Sequence, residues 1–255
     1  MVKHEHSGAP SGAARAWRRA ALAGLAGTLV IACASRAPQW FLAQEWSARP
    51  IQLGGHTFVA RQSETLTGPG PNRWSASSEN VRIDAAGNLQ LAITEREGRW
   101  YSAEISTALP DAYCRVRFRM LTDATKLDPA VIAAVFIYRN DQSELDVELG
   151  RWGKPLEKNA QFVVAPPLAD RLMRFELAQG TAPVDFTIDW RSNAVSFVAR
   201  TRDGQEHRFS YEGAPRPEPG GHRLHLSLWL REPSPVSHKG LALALSNLVI
   251  EPLDD

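Results

Sequence analysis

The stretch Ser143-Glu144-Leu145-Asp146-Val147-Glu148-Leu149-Gly150 alternates between acidic and apolar side chains. Successive side chains of a β-strand point to opposite faces of the sheet, so this alternation is typical of a strand with one face in a core. The two leucines and the valine would share the core face, and the three carboxylates would share the other. The stretch therefore predicts a strand between two packed sheets, with a row of acids on the outer or concave side of one sheet.

The same short alternation continues on both sides of this stretch, from about residue 45 to the end of the chain. Turn signals such as Asp203-Gly204 separate the runs, and no long helical period interrupts them. Strands that recur at intervals of about 8–12 residues are typical of an all-β sandwich or barrel. We therefore expect one all-β domain over residues 45–255. The predicted strands are Asn80–Ile83, Leu89–Thr94, Ala103–Thr107, Cys114–Leu121, Val131–Tyr138, Glu144–Leu149, Ala160–Ala165, Arg171–Leu177, Val184–Trp190, Val195–Arg200, Glu206–Tyr211, Arg223–Leu230 and Leu241–Ile250.

Composition excludes several classes of protein. The chain has 255 residues, 44% of them hydrophobic, and a formal net charge of +1. The apolar fraction is too high for a disordered chain, and the low charge argues against a nucleic-acid partner. Two cysteines cannot form a disulfide framework. His222 and His225 would point to opposite faces of a strand, so we expect no metal centre, although a structural calcium at clustered carboxylates stays open.

The first 34 residues have the pattern of an export leader. Basic residues precede an apolar run over residues 20–34, which is shorter than the roughly 18 residues expected of a membrane span. Its end fits two alternatives. Ala32-Cys33-Ala34 suits cleavage to a soluble product, whereas Val30-Ile31-Ala32-Cys33 resembles a bacterial lipobox in which Cys33 would be lipidated. We expect residues 35–44 to be a short linker, and the protein to be periplasmic, extracellular or held at the cell envelope by the lipid.

The spacing of the carboxylates allows a chemical role. At a rise of roughly 3.3 Å per residue, the Cα atoms of Glu144 and Glu148 would be about 13 Å apart. Side chains that lean inward would bring the two carboxyl groups to roughly 5–6 Å, near the separation used by retaining glycosidases. Asp146 between them would raise the proton affinity of its neighbours. The wider inverting arrangement, a solvated acidic face and a cation site remain open alternatives.

The motif and its surroundings resemble family 16 glycoside hydrolases of the bacterial lichenase and laminarinase type. The E-x-D-x-E signature is followed in order by Ala160-Gln161-Phe162, Phe186-Thr187-Ile188-Asp189-Trp190 and Leu226-Ser227-Leu228-Trp229, so the resemblance covers most of residues 45–255. It implies a concanavalin A-like jelly roll, a two-sheet β-sandwich with a concave substrate cleft, and retaining hydrolysis of β-glucans. Within it Glu144 would be the nucleophile, Asp146 the helper and Glu148 the general acid/base.

Three positions depart from the family pattern. Ala112 stands for a glycine, Val184 for a histidine, and Val163 for a polar residue after the cleft glutamine Gln161. These departures concern the type of substrate more than the reaction.

Glycan clefts need flat aromatic platforms and polar groups at the rim. Trp229 lies on the polar face of its predicted strand, opposite a face of leucines, and is expected to stack on sugar. Trp152, Trp74 and Asn72 fall on predicted loops and are further candidates, together with Gln161. We thus expect an exported, monomeric endo-β-glycanase without a cofactor, whose partner is a polysaccharide. The alternative is a non-catalytic carbohydrate-binding or cell-envelope protein on the same scaffold.

Overall fold

A computed structural model of the chain describes residues 46–255. The predicted leader, the linker and the lipidation candidate Cys33 lie outside the described residues. In the described part, regular structure other than strand is limited to two short 3₁₀ turns, Ala124–Lys126 and Ala169–Arg171. No helix between residues 46 and 255 has the length and apolar character needed to cross a membrane.

Residues 46–255 form eighteen strands, numbered here in chain order. They are β1 (Trp46–Leu53), β2 (His56–Arg61), β3 (Ser63–Thr67), β4 (Asn72–Trp74), β5 (Val81–Ile83), β6 (Leu89–Ala92), β7 (Thr94–Arg96), β8 (Arg99–Ala108), β9 (Cys114–Met120), β10 (Val131–Asn140), β11 (Ser143–Gly150), β12 (Ala160–Val164), β13 (Leu172–Phe175), β14 (Val184–Trp190), β15 (Val195–Arg200), β16 (Glu206–Tyr211), β17 (Arg223–Leu230) and β18 (Ala242–Pro252).

The strands form two sheets in which nearly all neighbours are antiparallel. The larger sheet has the order β1-β2-β8-β17-β10-β11-β12-β13, and β3, β4 and β7 extend it through β8. The smaller sheet has the order β16-β15-β14-β9-β18-β6-β5. Neighbours such as β17 and β10 are distant in sequence, as expected of a jelly roll. The predicted all-β, two-sheet sandwich is confirmed.

The core lies between the two sheets and follows the alternation of the strands. Leu145, Val147 and Leu149 of β11 are at most 1% exposed and pack in it. From β12, Phe162 stacks on Phe197 of β15 across the interface, with ring centroids 5.2 Å apart. Since one face of β11 is buried against the smaller sheet, its acidic face points to the opposite side of the larger sheet. This was the predicted orientation.

The structure adds detail that the alternation did not contain. Strands β1 to β4, between residues 46 and 74, were not predicted, because they are polar or short and carry little alternation. The predicted strand Leu89–Thr94 is divided into β6 and β7. Asn72 and Trp74, expected on a loop, form β4, which pairs with β3 on one side and with β8 on the other. The loop placement of these two residues was therefore wrong.

Candidate active site

The three carboxylates of β11 lie on the floor of a cleft in the larger sheet. Glu144, Asp146 and Glu148 are only 7%, 4% and 6% exposed. The cleft and the solvent space at its mouth together have a volume of about 370 Å³. Besides the carboxylates, its lining consists of Pro69, Ala134, Phe136, Tyr138, Asp141 and Trp229. The structure thus brings the predicted acidic row and Trp229 into one cavity.

Neighbouring strands set the surroundings of each carboxylate. In the antiparallel register of β10 and β11, Glu144 lies opposite Tyr138, and Asp146 lies opposite Phe136. On the other side of β11, Glu148 lies opposite Gln161 of β12. One end of the row therefore faces aromatic rings, and the other end faces an amide.

Glu144 and Asp146 share a hydrogen bond between their side chains. Burial, followed by the negative charges of Glu144 and Glu148, raises the pKa of Asp146 well above its usual range. Burial also raises the pKa of Glu144 to about 8, with the charges of Glu148 and Asp141 adding to the effect. Two carboxyl groups cannot bond to each other without a proton. The bond between them raises the pKa of Asp146 and lowers that of Glu144, so Asp146 is the donor and Glu144 the acceptor.

Glu148 has a different environment. The Gln161 amide Nε2 donates a hydrogen bond to its Oε2, and the Trp152 side chain donates another. Burial raises the pKa of Glu148, while these two donors and the charge of Arg174 act in the opposite direction. The environment therefore supports both states of this carboxyl, since burial favours the protonated form and the donors favour the ionised form.

Trp229, Trp152 and Trp74 form an apolar cluster with Ile132, apart from the main core. Trp229 is 1% exposed, but it contributes to the cleft wall. The structure brings Trp152 to Glu148, where it acts as a hydrogen-bond donor. Of the three tryptophans, these two are the ones that reach the site directly.

Trp74 and Asn72 lie behind the cleft rather than in it. Trp74 is fully buried, donates from Nε1 to Thr67 Oγ1 at 3.0 Å, and has the Arg61 guanidinium 4.3 Å from its ring. The Asn72 amide donates to the carbonyls of Leu230 at 2.8 Å and of Pro69 at 2.6 Å. Both side chains are buried and neither lines the cleft, while the Asn72 bond to Pro69 supports the cleft wall.

Several residues of the site were missed by the sequence reasoning. Phe136 and Tyr138 were hidden because β10 reads Val-Ile-Ala-Ala-Val-Phe-Ile-Tyr, apolar on both faces. Pro69 carried no signal, because its place in the cleft depends on contacts distant in sequence. The alternation of Val131–Tyr138 places both aromatic rings on the face opposite Val135. This pattern would have predicted their place in the cleft only if β10 had been known to pair with β11.

A buried polar group supports the floor beside the row. Glu104 of β8 accepts hydrogen bonds from Arg61 at 3.1 Å and from His225 at 2.7 Å. Phe136 stacks on the His225 ring with centroids 4.8 Å apart. Burial alone would raise the pKa of Glu104, but Arg61 and His225 outweigh it and lower the pKa. Arg61 and His225 therefore compensate the cost of burying the Glu104 charge, and the carboxyl groups of β11 have no such ion pair among the described residues.

The histidines and acids do not form a metal site in the described part of the chain. Over residues 46–255, no group of three His, Cys, Asp or Glu side chains is arranged to hold a metal ion. His222 contacts Ser143 Oγ through Nε2 at 2.8 Å, whereas His225 contacts Glu104. Cys114 is buried and not bonded to another cysteine, and burial raises the pKa of its thiol to about 12.

Comparison with solved structures shows that the chain has a known fold. Neither a family model nor a curated protein matches the sequence. Among solved structures, a β-glucanase of Bacillus licheniformis matches 77% of this chain and 92% of its own, with a TM-score of 0.57 and 15% identity. The chain has the fold of family 16 glycoside hydrolases. The resemblance indicated by the E-x-D-x-E motif is confirmed at the level of fold.

Two mycobacterial structures extend the comparison. A glycosyl hydrolase family 16 protein from Mycobacterium smegmatis has a TM-score of 0.57 and 15% identity, covering 80% of this chain and 92% of that chain. An immunostimulatory antigen and pseudo β-1,3-glucanase of Mycobacterium tuberculosis has a TM-score of 0.59 and 16% identity, covering 77% and 91%. The chain thus shares its fold with these proteins, and the reaction has to be argued from the site itself.

Proposed function

We propose that the protein is a retaining endo-β-glycanase that hydrolyses a β-glucan-type polysaccharide by double displacement. The observation that supports this most is the pairing of two differently held glutamates on one strand in a cleft. Glu144 accepts a hydrogen bond from a protonated neighbour, whereas Glu148 is held by neutral donors and buried. Carboxyl groups whose environments differ in this way are typical of an acid and a nucleophile that act together.

In the first step, a Glu144 carboxylate oxygen attacks the anomeric carbon while Glu148 gives its proton to the glycosidic oxygen. The bond between the anomeric carbon and that oxygen breaks, and the shortened glycan leaves as an alcohol. Asp146 keeps its proton and donates it in a hydrogen bond to Glu144. That bond weakens the nucleophile slightly in the free enzyme but stabilises it as a leaving group later.

In the second step, the ionised Glu148 takes a proton from water, and the water oxygen attacks the anomeric carbon. The bond to Glu144 breaks, which releases the sugar with its original β configuration and restores both side chains. Gln161 and Trp152 favour the ionised form of Glu148 that this step requires.

A non-catalytic carbohydrate-binding role is the second candidate. The pKa of about 8 at Glu144 lowers the ionised fraction of the nucleophile at neutral pH. One of the structurally similar proteins is also named a pseudo β-1,3-glucanase. Against this role, a binding surface has no need for three buried carboxyl groups, whose ionised forms are costly to bury.

A substrate screen separates the two candidates. Purified protein is incubated with β-glucans, galactans and xyloglucan, and new reducing ends are counted. Hydrolysis of at least one β-glucan is expected, and Glu144→Gln should reduce it by about 1000-fold or more while retaining glycan binding. Asp185→Asn, on the far side of the sandwich, serves as the matched control with wild-type activity. Absence of hydrolysis on every polymer, with binding intact, would favour the non-catalytic candidate.

Export and anchoring form a separate part of the proposal. The basic start, short apolar run and lipobox-like end of residues 1–34 support export of the protein, with Cys33 as the candidate lipid anchor. If Cys33 is lipidated, the protein should be recovered with membranes, and Cys33→Ser should release it or block its processing. Recovery of soluble mature protein that begins at Ser35 would reject the anchor.

A further inference from the structure

Arg174 of β13 contacts both of the groups that hold Glu148. Glu148, Gln161 and Arg174 lie opposite one another on the adjacent strands β11, β12 and β13. Arg174 Nε donates to Gln161 Oε1 at 3.0 Å, and its guanidinium carbon lies 4.6 Å from the centroid of the Trp152 ring. Gln161 and Trp152 are the hydrogen-bond donors of Glu148. The Arg174 side chain thus contacts both hydrogen-bond donors of the Glu148 carboxyl group.

The contact with Gln161 decides which end of its amide faces the cleft. A guanidinium group can only donate, so it selects the amide oxygen and leaves the amide nitrogen to point towards Glu148. Without Arg174, the amide could turn and present its oxygen to the carboxyl group. A rotated amide would accept a hydrogen bond from the protonated carboxyl of Glu148 instead of stabilising the ionised form.

The contact with Trp152 supports an unfavourable backbone. Trp152 has a φ of 46°, in the left-handed region that bulky residues rarely adopt. Such a conformation costs on the order of 1–3 kcal/mol and persists only where surrounding contacts enforce it. The guanidinium over the indole ring is one of these contacts, and a hydrogen bond from Gly153 N to Pro129 O at 2.7 Å is another. The strained turn brings the indole N–H to Glu148.

Arg174 is itself held in place. Its Nη1 lies 3.5 Å from Glu157 Oε2, in a loop between β11 and β12, and its side chain is 24% exposed. A chain of contacts thus leads from the surface at Glu157 through Arg174 and Gln161 to Glu148.

We propose that Arg174 is a positioning residue that controls the orientation and protonation of Glu148 through Gln161 and Trp152. The use of that control in catalysis rests on the proposed hydrolase function, whereas the control itself does not. Burial raises the pKa of Glu148, and Gln161 and Arg174 act against it. Removing Arg174 should therefore raise the pKa of Glu148 further.

The test measures this carboxyl directly. Protein labelled with ¹³C at the glutamate carboxyl groups is titrated by NMR, and the Glu148 signal is assigned by its loss in Glu148→Gln. Arg174→Met should move the Glu148 pKa upward by about half a unit or more. Arg174→Lys, which keeps a donor, should restore part of the difference. Arg119→Met, which removes an arginine from the far side of the sandwich, is the matched control and should leave the titration unchanged.

Enzyme kinetics supply the second readout. Arg174→Met should lower kcat by about tenfold with little change in KM, and the limb of the pH–rate profile that Glu148 governs should move in the same direction as its titration. In a Gln161→Met background, Arg174→Met should have a smaller effect than in the wild type, because the two residues act in series. If Arg174→Met does not fold, Arg174→Lys is the test variant, and it should shift the titration in the same direction by a smaller amount.

Three results would overturn the proposal. The first is an unchanged Glu148 titration in Arg174→Met, and the second is a titration shift no larger than that of the control Arg119→Met. The third is full additivity of Arg174→Met and Gln161→Met, which would mean that Arg174 acts on Glu148 only through its charge and not through Gln161. A shifted titration in a protein that hydrolyses nothing would support the positioning role and would count against the hydrolase function alone.

Discussion

Two strands of this sandwich carry charged side chains on alternate positions, yet their surroundings differ completely. On β9 of the smaller sheet, the arginines form ion pairs with acids of the neighbouring strands; the pairs are Arg115 with Asp189, Arg117 with Glu251 and Arg119 with Asp185. On β11 of the larger sheet, the carboxylates are bonded to each other and to the neutral donors Gln161 and Trp152. One charged face is compensated and partly exposed, whereas the carboxylates of the other are buried and form no ion pair with the residues that the structure describes.

The difference indicates which face is under functional constraint. Exposed ion pairs are easily formed and contribute little to stability. A buried acidic row is costly, because a carboxyl group that ionises there loses its contact with water and gains no ion-pair partner. Groups with strongly shifted pKa values in a cleft are accordingly typical of active sites. The comparison therefore supports the proposal that β11 is the functional strand and that β9 is a solvated surface, and three experiments can break or sharpen it.

The largest effect is expected from separating the two glutamates of β11. Glu148→Ala should lose about 100- to 10,000-fold in activity on a natural glucan, but far less on an aryl glycoside with a good leaving group. Added azide should restore part of the activity of Glu148→Ala and yield a β-glycosyl azide, whereas Glu144→Ala should yield the α-azide. Product configuration is read by NMR.

The reverse pattern of azide products would exchange the roles of Glu144 and Glu148. If neither variant responds to azide and both still bind glycan, the row on β11 is structural. Arg117→Met on β9 is the control, and it should retain wild-type activity on both kinds of substrate.

A smaller effect is expected on stability, with a characteristic dependence on pH. The pKa of Glu144 is about 8 in the folded protein, against an ordinary value of 4.5. The folded state therefore binds more protons than the unfolded state between these values. The contribution of Glu144 to the unfolding free energy is complete below pH 4.5 and is lost as the pH rises to about 8.

Replacing the Glu144 carboxyl group should remove this loss of unfolding free energy at high pH. At pH 9, Glu144→Gln should be more stable than the wild type by about 2 kcal/mol or more, and near pH 4 the two should differ little. Urea unfolding from pH 4 to 9 measures the difference. A constant difference over that range would show that the carboxyl is not destabilised by burial. Asp185→Asn, whose carboxyl is exposed, should keep the wild-type slope.

The smallest effect is expected on β9. The Arg117 and Glu251 side chains are 45% and 39% exposed, and their atoms Nη2 and Oε1 are 2.5 Å apart. Arg117→Met should change the unfolding free energy by about 0.5 kcal/mol or less, and added salt should make the difference smaller. A loss above about 1 kcal/mol would mean that this face also has a structural or binding role, and the contrast with β11 would weaken.

The amino-acid sequence by itself determined the fold class and the acidic row. Alternation with a period of two is a local property, so most strands from residue 80 onward could be predicted within a few residues. The same period placed Glu144, Asp146 and Glu148 on one face, because neighbouring side chains of a strand must point apart. The order of further motifs around β11 was enough to indicate the scaffold.

Only the tertiary structure decided the surroundings of the row. The pairing of β11 with β10 and β12 brings Phe136, Gln161 and, through β13, Arg174 to the site, and no local pattern contains that pairing. Tertiary structure also removed a candidate from the cleft, since Trp74, which the sequence placed on a loop, is fully buried behind the cleft wall. Burial and proton affinity depend on groups that the chain brings together from distant positions, so they could not be predicted from the spacing of residues along one strand.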